Sequence, residues 1–143
     1  MAKRLTAVRE ETATLIRTDI HQMELTEEGI LYITASNPEL DHIDVSRQLV
    51  DEMAWGFAKL ANGIPRPMLF DLDSRYVSIN KDVREYIASH PLINRVKKAE
   101  AIVTSSLASR LIVNTYLTIN TPPRPARMFK DVESAKKWLR KFL

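Results

Sequence analysis

The alternation of apolar and polar residues predicts a β-hairpin near the start of the chain. β-Branched residues recur through positions 14–25, and an apolar run occupies positions 30–34, so each segment is expected to form a strand. The turn residues between them, 26–29, end in Gly29, which is free to adopt a positive φ. The two strands are therefore predicted to pair antiparallel.

Two segments with the period of an amphipathic helix follow. Residues 45–61 carry their apolar side chains on one face, and Asp41 or Asp44 is expected to cap this helix. Asn80 is predicted to cap a second helix over residues 81–89, because its side chain can accept from the first turn.

Two further helices are predicted in the second half of the chain. Ser105 or Ser106 is expected to cap the third helix, and Leu107, Leu111 and Ile112 are expected to face the core. Asp131 is expected to open the last helix, whose apolar face alternates with a lysine-rich face.

Short apolar segments separate these helices and read as strands. They are residues 67–73, residues 99–104 and a short edge strand at residues 127–129, giving the element order ββαβαβαβα. Strands that alternate with helices require crossover connections and hence a largely parallel sheet. We therefore predict one α/β domain over residues 14–143, after an arm at residues 1–13. Its sheet is mixed but mostly parallel, with an N-terminal β-hairpin and about four helices.

Polar residues follow the central strand directly, namely Asp71, Asp73, Ser74, Ser78 and Asn80. In open α/β sheets, ligands and chemistry are usually found at the carboxyl ends of the strands. This segment is therefore the place where a function is expected. The same hydroxyls and carboxylates are also suited to ordinary turn and cap hydrogen bonds.

Trp55 stands apart from the apolar stripe of the first helix. At about 100° per residue it lies roughly opposite Phe57 and Leu49, so it is expected to be exposed. An exposed tryptophan is suited to anchoring an interface. The alternative is that Trp55 packs under a neighbouring loop or under the N-terminal arm.

Composition limits the class of protein. The absence of cysteine excludes a disulfide framework and thiol chemistry. No apolar run approaches the ~18 residues that span a membrane, and no signal peptide is evident, so a cytoplasmic protein is expected.

Charge is unevenly distributed along the chain. Residues up to Leu92 contain 10 Lys+Arg and 15 Asp+Glu, whereas the remainder contains 11 Lys+Arg and 3 Asp+Glu. This asymmetry suits nucleic-acid or membrane contact, self-association of an acidic face with a basic one, or an uneven solvated surface.

The sequence contains no motif that identifies a catalytic, metal or cofactor site. His21, His42 and His90 lack metal-ligand spacing, and the three glycines form no phosphate-binding pattern. Asp71 and Asp73 have no neighbouring set of groups for nucleophilic or metal-assisted chemistry. The basic last helix lacks interleaved aromatic residues on its charged face, which disfavours nucleic-acid binding. We therefore expect a protein that is not an enzyme and uses no cofactor.

Several short segments carry a family resemblance. They are Leu69-Phe70-Asp71-Leu72, residues 78–86, residues 103–110, Asn120-Thr121-Pro122-Pro123, and Phe129-Lys130-Asp131 with Trp138-Leu139. Together with the element order, they resemble the STAS fold of anti-sigma factor antagonists of the SpoIIAA type. The similarity is strongest to small stand-alone SpoIIAA-like bacterial proteins and covers roughly residues 15–143.

The resemblance implies a regulatory serine. In the antagonists, an Asp-Ser-Ser/Thr-Gly run follows the strand, and a partner kinase phosphorylates a serine there. Here Asp71 matches the end of the strand and Ser78 lies in the equivalent loop, although the Asp-Ser-Ser-Gly run itself is absent. What carries over is a phosphorylation or docking loop at Ser74 or Ser78, with Arg84 close by on the second helix.

The resemblance also implies a class of function. It is a non-enzymatic regulatory module that contacts another protein and self-associates, most simply as a homodimer. The alternative is a carrier or sensor of a small molecule or lipid, since the STAS fold is similar in layout to the lipid-binding Sec14 domain. The side chains expected to line such a pocket, which are equally suited to a plain core, are Met53, Phe57, Met68, Leu107 and Met128.

Overall fold

A seven-stranded mixed sheet forms the centre of the fold. The computed structural model describes residues 6–120 and 122–143, so the first five residues of the predicted arm and Thr121 lie outside the described part. The strands are β1 (Val8–Glu11), β2 (Leu15–Thr18), β3 (His21–Leu25), β4 (Leu31–Ala35), β5 (His42–Asp44), β6 (Arg66–Asp73), β7 (Tyr76–Ser78), β8 (Lys97–Thr104) and β9 (Ala126–Phe129). The α-helices are α1 (Arg47–Ala61), α2 (Lys81–Ser89), α3 (Pro91–Val96), α4 (Leu107–Thr115) and α5 (Val132–Leu139).

The strand order of the large sheet is β1-β2-β3-β4-β6-β8-β9. The pairs from β1 to β4 are antiparallel, and those from β4 through β6 and β8 to β9 are parallel. The predicted mixed α/β sheet is therefore confirmed, with a larger antiparallel part than a single hairpin. The strands β5 and β7 pair in parallel as a separate two-stranded sheet.

The strand predicted over residues 14–25 is broken in the middle into β2 and β3. The Thr18 hydroxyl accepts from the backbone N–H groups of Ile20 (3.2 Å) and His21 (3.1 Å), which turns the chain. The same hydroxyl contacts the His21 ring nitrogen Nδ1 at 2.8 Å. The hydrogen bonds from the Thr18 hydroxyl to local backbone groups thus break the strand, despite the high β-propensity of the neighbouring residues.

The arm predicted at residues 1–13 contains regular structure where it is described. Val8–Glu11 forms β1 and pairs antiparallel with β2 at the edge of the sheet. The backbone N–H of Thr6 donates to the Glu52 carboxylate of α1 at 3.2 Å. The arm is therefore tied to both the sheet and the first helix.

The predicted cap of the first helix is wrong. Ser46, and neither Asp41 nor Asp44, caps α1, and its hydroxyl accepts from the Leu49 N–H at 3.2 Å. Asp44 is unavailable to the helix because it ends β5, where its carboxylate accepts from the Ser78 hydroxyl at 2.8 Å.

The caps predicted from Asn80, Ser106 and Asp131 are confirmed, since each side chain accepts from a backbone N–H three residues on. Directly beyond α2, Pro91 stands at the first position of α3, a short helix that the sequence pattern did not predict. The His90 ring caps that helix, with Nδ1 accepting from the Ile93 N–H at 3.4 Å.

The predicted inward face of α4 is wrong for Leu107 and Leu111, whereas the third predicted residue, Ile112, does face inward and lines the cavity. Leu107 is 73% exposed and Leu111 is 62% exposed, whereas Ser109 and Val113 are buried. Ser109 fixes this orientation, because its hydroxyl donates to the Arg75 carbonyl (2.8 Å) and accepts from the backbone N–H of β7 (3.0 Å). Two hydrogen bonds to β7 and its adjoining turn therefore decide which side of the helix is buried.

Helices cover both faces of the sheet. Met68 and Leu69 of β6 point to opposite faces, as successive strand residues do. Met68 packs with Phe57 of α1, and Leu69 packs with Leu139 of α5. The first four helices therefore share one face with the site described next, while α5 and the 3-10 helix that follows it, Arg140–Phe142, cover the other face.

Candidate ligand-binding site

A cavity of about 170 Å³ lies between the sheet and helices α1 to α4. Its wall is almost entirely aliphatic and aromatic, with contributions from Leu49, Phe57, Ile79, Ile102 and Val113. Ile79, one of these, is only half-buried. A core packed at normal density leaves few voids larger than a water molecule, so an apolar space of this size invites an explanation.

The polar end of the cavity is built by a bulge in β8. The strand aligns Lys97 with Arg66 of β6, but aligns Ala99 with Pro67, so one extra residue is accommodated in β8. Residues three apart on a regular strand point to opposite faces. The extra residue brings the side chains of Lys97 and Glu100 to the same face, where both line the cavity.

Lys97 and Glu100 form a buried ion pair. The distance from Lys97 Nζ to Glu100 Oε2 is 3.0 Å, and the two side chains are 1% and 5% exposed. The second oxygen, Glu100 Oε1, is buried without a hydrogen-bond partner among the described residues. One carboxylate oxygen, Oε2, is thus paired with the Lys97 ammonium, and the other, Oε1, is a buried acceptor.

Tyr116 completes the polar end of the cavity. Its ring lines the cavity, and its buried hydroxyl has no partner of good hydrogen-bond geometry among the described residues. Burial, followed by the charge of the neighbouring Glu100 carboxylate and by the approach of the hydroxyl to that carboxylate, raises the pKa of the Tyr116 hydroxyl. The hydroxyl therefore keeps its proton at neutral pH and is able to donate it in a hydrogen bond.

These three groups lie away from the predicted site. Glu100 aligns with Met68 of β6, whereas Asp71 aligns with Val103, three residues or roughly 10 Å farther along the sheet. Asp71 and Arg75 also line the cavity, at the end where β6 finishes. The cavity therefore joins the predicted polar segment to a polar cluster that the prediction did not include.

The structure places the first predicted site residues in turn geometry. Asp71 accepts from the Tyr32 hydroxyl at 3.0 Å and from the Asp73 backbone N–H at 3.1 Å. Asp73 has a φ of 53° and lies 3.6 Å from the Arg75 guanidinium. Ser74 is exposed in the turn that follows.

The remaining predicted site residues lie in two separate local arrangements. The Ser78 hydroxyl donates to Asp44 across the small sheet and lies 3.1 Å from the His42 ring nitrogen Nε2. Asn80 caps α2, and Arg84 donates to the Ile79 carbonyl at 2.6 Å. The contacts of Asp71 and those of Ser78 thus involve different partners, and a phosphorylation or docking role for this loop stays a prediction.

Trp55 is 43% exposed on α1, as the helical angle predicts. The Lys59 ammonium lies 4.7 Å from the centre of its ring, one turn along the helix. Leu107 and Leu111 form a second exposed apolar surface on α4. That Trp55 contacts another protein stays a prediction.

The residues predicted to line a pocket divide into three groups. Met53 and Phe57 do line the cavity. Met68 belongs to the core, and Met128 lies on the edge strand β9. Leu107 faces solvent instead of the cavity, because the hydrogen bonds of Ser109 turn the opposite side of α4 inward.

Sequence reasoning missed Lys97, Glu100 and Tyr116. The available signal was a single glutamate inside the apolar run Ala99-Glu100-Ala101-Ile102-Val103. A charged residue in a strand that is covered on both faces requires a partner, and Lys98 and Lys97 precede Glu100 by two and three positions. The alternation of a regular strand places Lys98 on the face of Glu100, so only the bulge reveals that Lys97 is the partner.

Within the described ranges, no group of His, Asp and Glu side chains could hold a metal ion. None of the helices in this part of the chain is both long enough and apolar enough to cross a bilayer.

Comparisons with known proteins bear on the family and the fold. A family model described as a domain of unknown function, DUF7793, matches residues 23–143. Among solved structures, the chain is similar to the crystal structure of an uncharacterized protein from the DUF3478 family with a SpoIIAA-like fold from Shewanella loihica PV-4. The TM-score is 0.51 at 15% identity, and the match covers 97% of this chain and 98% of that one. A search of curated proteins found no match. The SpoIIAA-like fold predicted from the short segments is thereby confirmed.

Proposed function

The chain belongs to the DUF7793 family of domains of unknown function, and we propose that it is a non-enzymatic, cytoplasmic module that binds a small apolar molecule. The observation that carries this proposal is the cavity of about 170 Å³ whose apolar wall surrounds two buried polar atoms, Glu100 Oε1 and the Tyr116 hydroxyl oxygen. This is the carrier or sensor role that the likeness to the Sec14 layout implies.

Two costs in the free energy of folding support a bound molecule. An apolar cavity forfeits dispersion contacts along its whole wall. A buried polar atom without a hydrogen-bond partner costs about 1–3 kcal/mol. A ligand with an apolar body and one polar end offsets both costs at once, which is how small-molecule sites usually combine apolar walls with few polar groups.

Binding is favoured over catalysis by the state of the charged groups. Lys97 and Glu100 are held against each other at 3.0 Å, so neither is a poised nucleophile or base. The Tyr116 hydroxyl has a raised pKa, which makes it a hydrogen-bond donor and a poor base at neutral pH.

Native mass spectrometry after gentle purification tests the proposal. We expect a co-purified small molecule, or else saturable binding of small apolar compounds to the purified protein. The variant Val113→Phe should abolish either signal, because Val113 lines the cavity and is 6% exposed. Leu107→Phe is the matched control on the same helix, because that side chain is 73% exposed and outside the cavity wall. Equal binding to both variants would show that the cavity is not the site.

A second candidate function is contact with another copy of the chain. The observation that favours it is the 43% exposure of Trp55, a residue type enriched at the centres of interfaces. A regulatory phosphoserine at Ser78 or Ser74 would belong to this second role.

A further inference from the structure

The polar end of the cavity is lined by three side chains, Lys97, Glu100 and Tyr116, and the wall around them is apolar. We propose that the cavity selects ligands whose polar end is uncharged and both donates and accepts hydrogen bonds, as in an alcohol or a primary amide. Carboxylates and amines of the same size would bind more weakly. This inference rests on the proposed function, because it assigns the head group of the ligand in the same cavity.

The charge balance of the cavity excludes a charged head group. Lys97 and Glu100 already neutralise each other at 3.0 Å. Asp71, Arg75 and His21 also line the cavity, but the Asp71 carboxylate is held by the Tyr32 hydroxyl at 3.0 Å and the His21 ring by the Thr18 hydroxyl at 2.8 Å. Arg75 is engaged by the Leu40 carbonyl at 2.9 Å. A carboxylate or an ammonium would therefore leave one unbalanced charge in an apolar space, which is costly.

The hydrogen-bonding pattern selects among uncharged head groups. Glu100 Oε1 accepts only, so it requires a donor from the ligand. The Tyr116 hydroxyl retains its proton and approaches the Glu100 carboxylate without good hydrogen-bond geometry, so a ligand group that accepts from Tyr116 and donates to Glu100 would bridge the two. A hydroxyl or a primary amide satisfies both groups, whereas a ketone or an ether satisfies Tyr116 alone and an alkane satisfies neither.

The volume limits the size of the ligand. An engineered apolar cavity of roughly 150 Å³ in another protein holds benzene, so about 170 Å³ suits roughly six to nine non-hydrogen atoms. The probes that match this size and differ only in the charge of the head group are 1-hexanol, hexanoate and hexylamine.

The test is an NMR titration of the isotope-labelled full chain with each of the three probes at neutral pH. We expect 1-hexanol to bind at least about tenfold more tightly than hexanoate or hexylamine, because only the alcohol adds no buried charge. Chemical shifts of Ile102 and Val113, which line the cavity, report where binding occurs.

Two variants separate the hydrogen bond from the charge. Tyr116→Phe keeps the ion pair and removes the hydroxyl. It should therefore lower the affinity for 1-hexanol by roughly five- to tenfold and leave the affinity for hexanoate nearly unchanged. Glu100→Gln leaves Lys97 without its counter-ion, so the preference should shift from 1-hexanol toward hexanoate. Leu107→Ala, on the exposed side of α4, should change neither preference.

The outcomes distinguish this inference from the proposed function. Binding of hexanoate or hexylamine as tight as that of 1-hexanol would overturn the inference and leave the cavity as a binding site. An unchanged affinity for 1-hexanol in Tyr116→Phe would also overturn it. If none of the probes shifts the cavity resonances, the proposed function fails, and the inference falls with it.

Discussion

Lys97 and Glu100, three residues apart on one strand, lie on the same face of the sheet, with Nζ and Oε2 at 3.0 Å. A bulge between β6 and β8 makes this arrangement possible. Both side chains are almost completely buried, at 1% and 5% exposure. The pair therefore controls the stability of the central strands and the polarity of the cavity together.

Removal of one member of this pair should be far more harmful than removal of both. Lys97→Met leaves the Glu100 carboxylate buried without its counter-ion, so we expect the free energy of unfolding to fall by about 3–5 kcal/mol. The double variant Lys97→Met/Glu100→Leu carries no unpaired charge and should lie within about 1 kcal/mol of the parent protein. Urea denaturation of the three proteins measures both differences.

The exposed pair Arg17–Glu10 supplies the control for this cycle. Its side chains are 42% and 47% exposed at 3.4 Å, so Arg17→Met should cost no more than about 1 kcal/mol. Equal losses in Arg17→Met and Lys97→Met would contradict the assignment of Lys97 to a buried pair.

The features that the sequence predicted well are set by local chemistry. Asn80 caps α2, Ser106 caps α4, and Gly29 takes a φ of 98°, because each depends on groups within three or four residues. The mixed α/β order follows from hydrophobic periodicity, which is also a local signal.

The features that the sequence missed depend on distant partners. Ser109 turns α4 by bonding to β7 and to the Arg75 carbonyl, more than thirty residues away, which leaves Leu107 in solvent. The bulge that joins Lys97 to Glu100 is defined only against β6. Periodicity along one segment carries no information about either contact, so the cavity and its polar end required the structure.

Trp55 provides a direct test of self-association. If α1 contacts a second copy of the chain, Trp55→Ala should weaken the dimer by about 2 kcal/mol or more, or roughly thirtyfold in the dissociation constant. Sedimentation equilibrium measures this change. Ile64→Ala is the control, because Ile64 is also exposed, at 56%, but lies beyond the end of α1. A dimer whose stability is the same in the parent protein and in Trp55→Ala would remove Trp55 from the interface.

A negative charge at Ser78 should disrupt the small sheet. Ser78 pairs with Asp44 across β5 and β7 and donates its hydroxyl to that carboxylate at 2.8 Å. We expect Ser78→Glu to lower the free energy of unfolding by about 1–2 kcal/mol, because like charges then face each other across the strands.

Ser74→Glu is the matched control for Ser78, since Ser74 is exposed in the turn before β7 and should change the free energy of unfolding by no more than about 0.5 kcal/mol. Incubation of the protein with cell extract and labelled ATP tests whether either serine is phosphorylated. Label that persists undiminished in both Ser78→Ala and Ser74→Ala would exclude them as the modified residues.

The contact between Tyr32 and Asp71 predicts a loss of stability at alkaline pH. Burial, followed by the Asp71 carboxylate at 3.0 Å from the hydroxyl, raises the pKa of Tyr32 from 10.0 to about 12. The folded state therefore holds the Tyr32 proton between these values, whereas the unfolded state releases it. The stabilising contribution of the protonated hydroxyl is complete below pH 10 and should decline as the pH rises from 10 to about 12. Asp71→Asn removes the charge, so we expect the pKa of Tyr32 to move down toward 10. Ultraviolet titration of tyrosinate, taken as the difference from a Tyr32→Phe variant, isolates this group. An unchanged titration curve in Asp71→Asn would show that the carboxylate does not act on Tyr32.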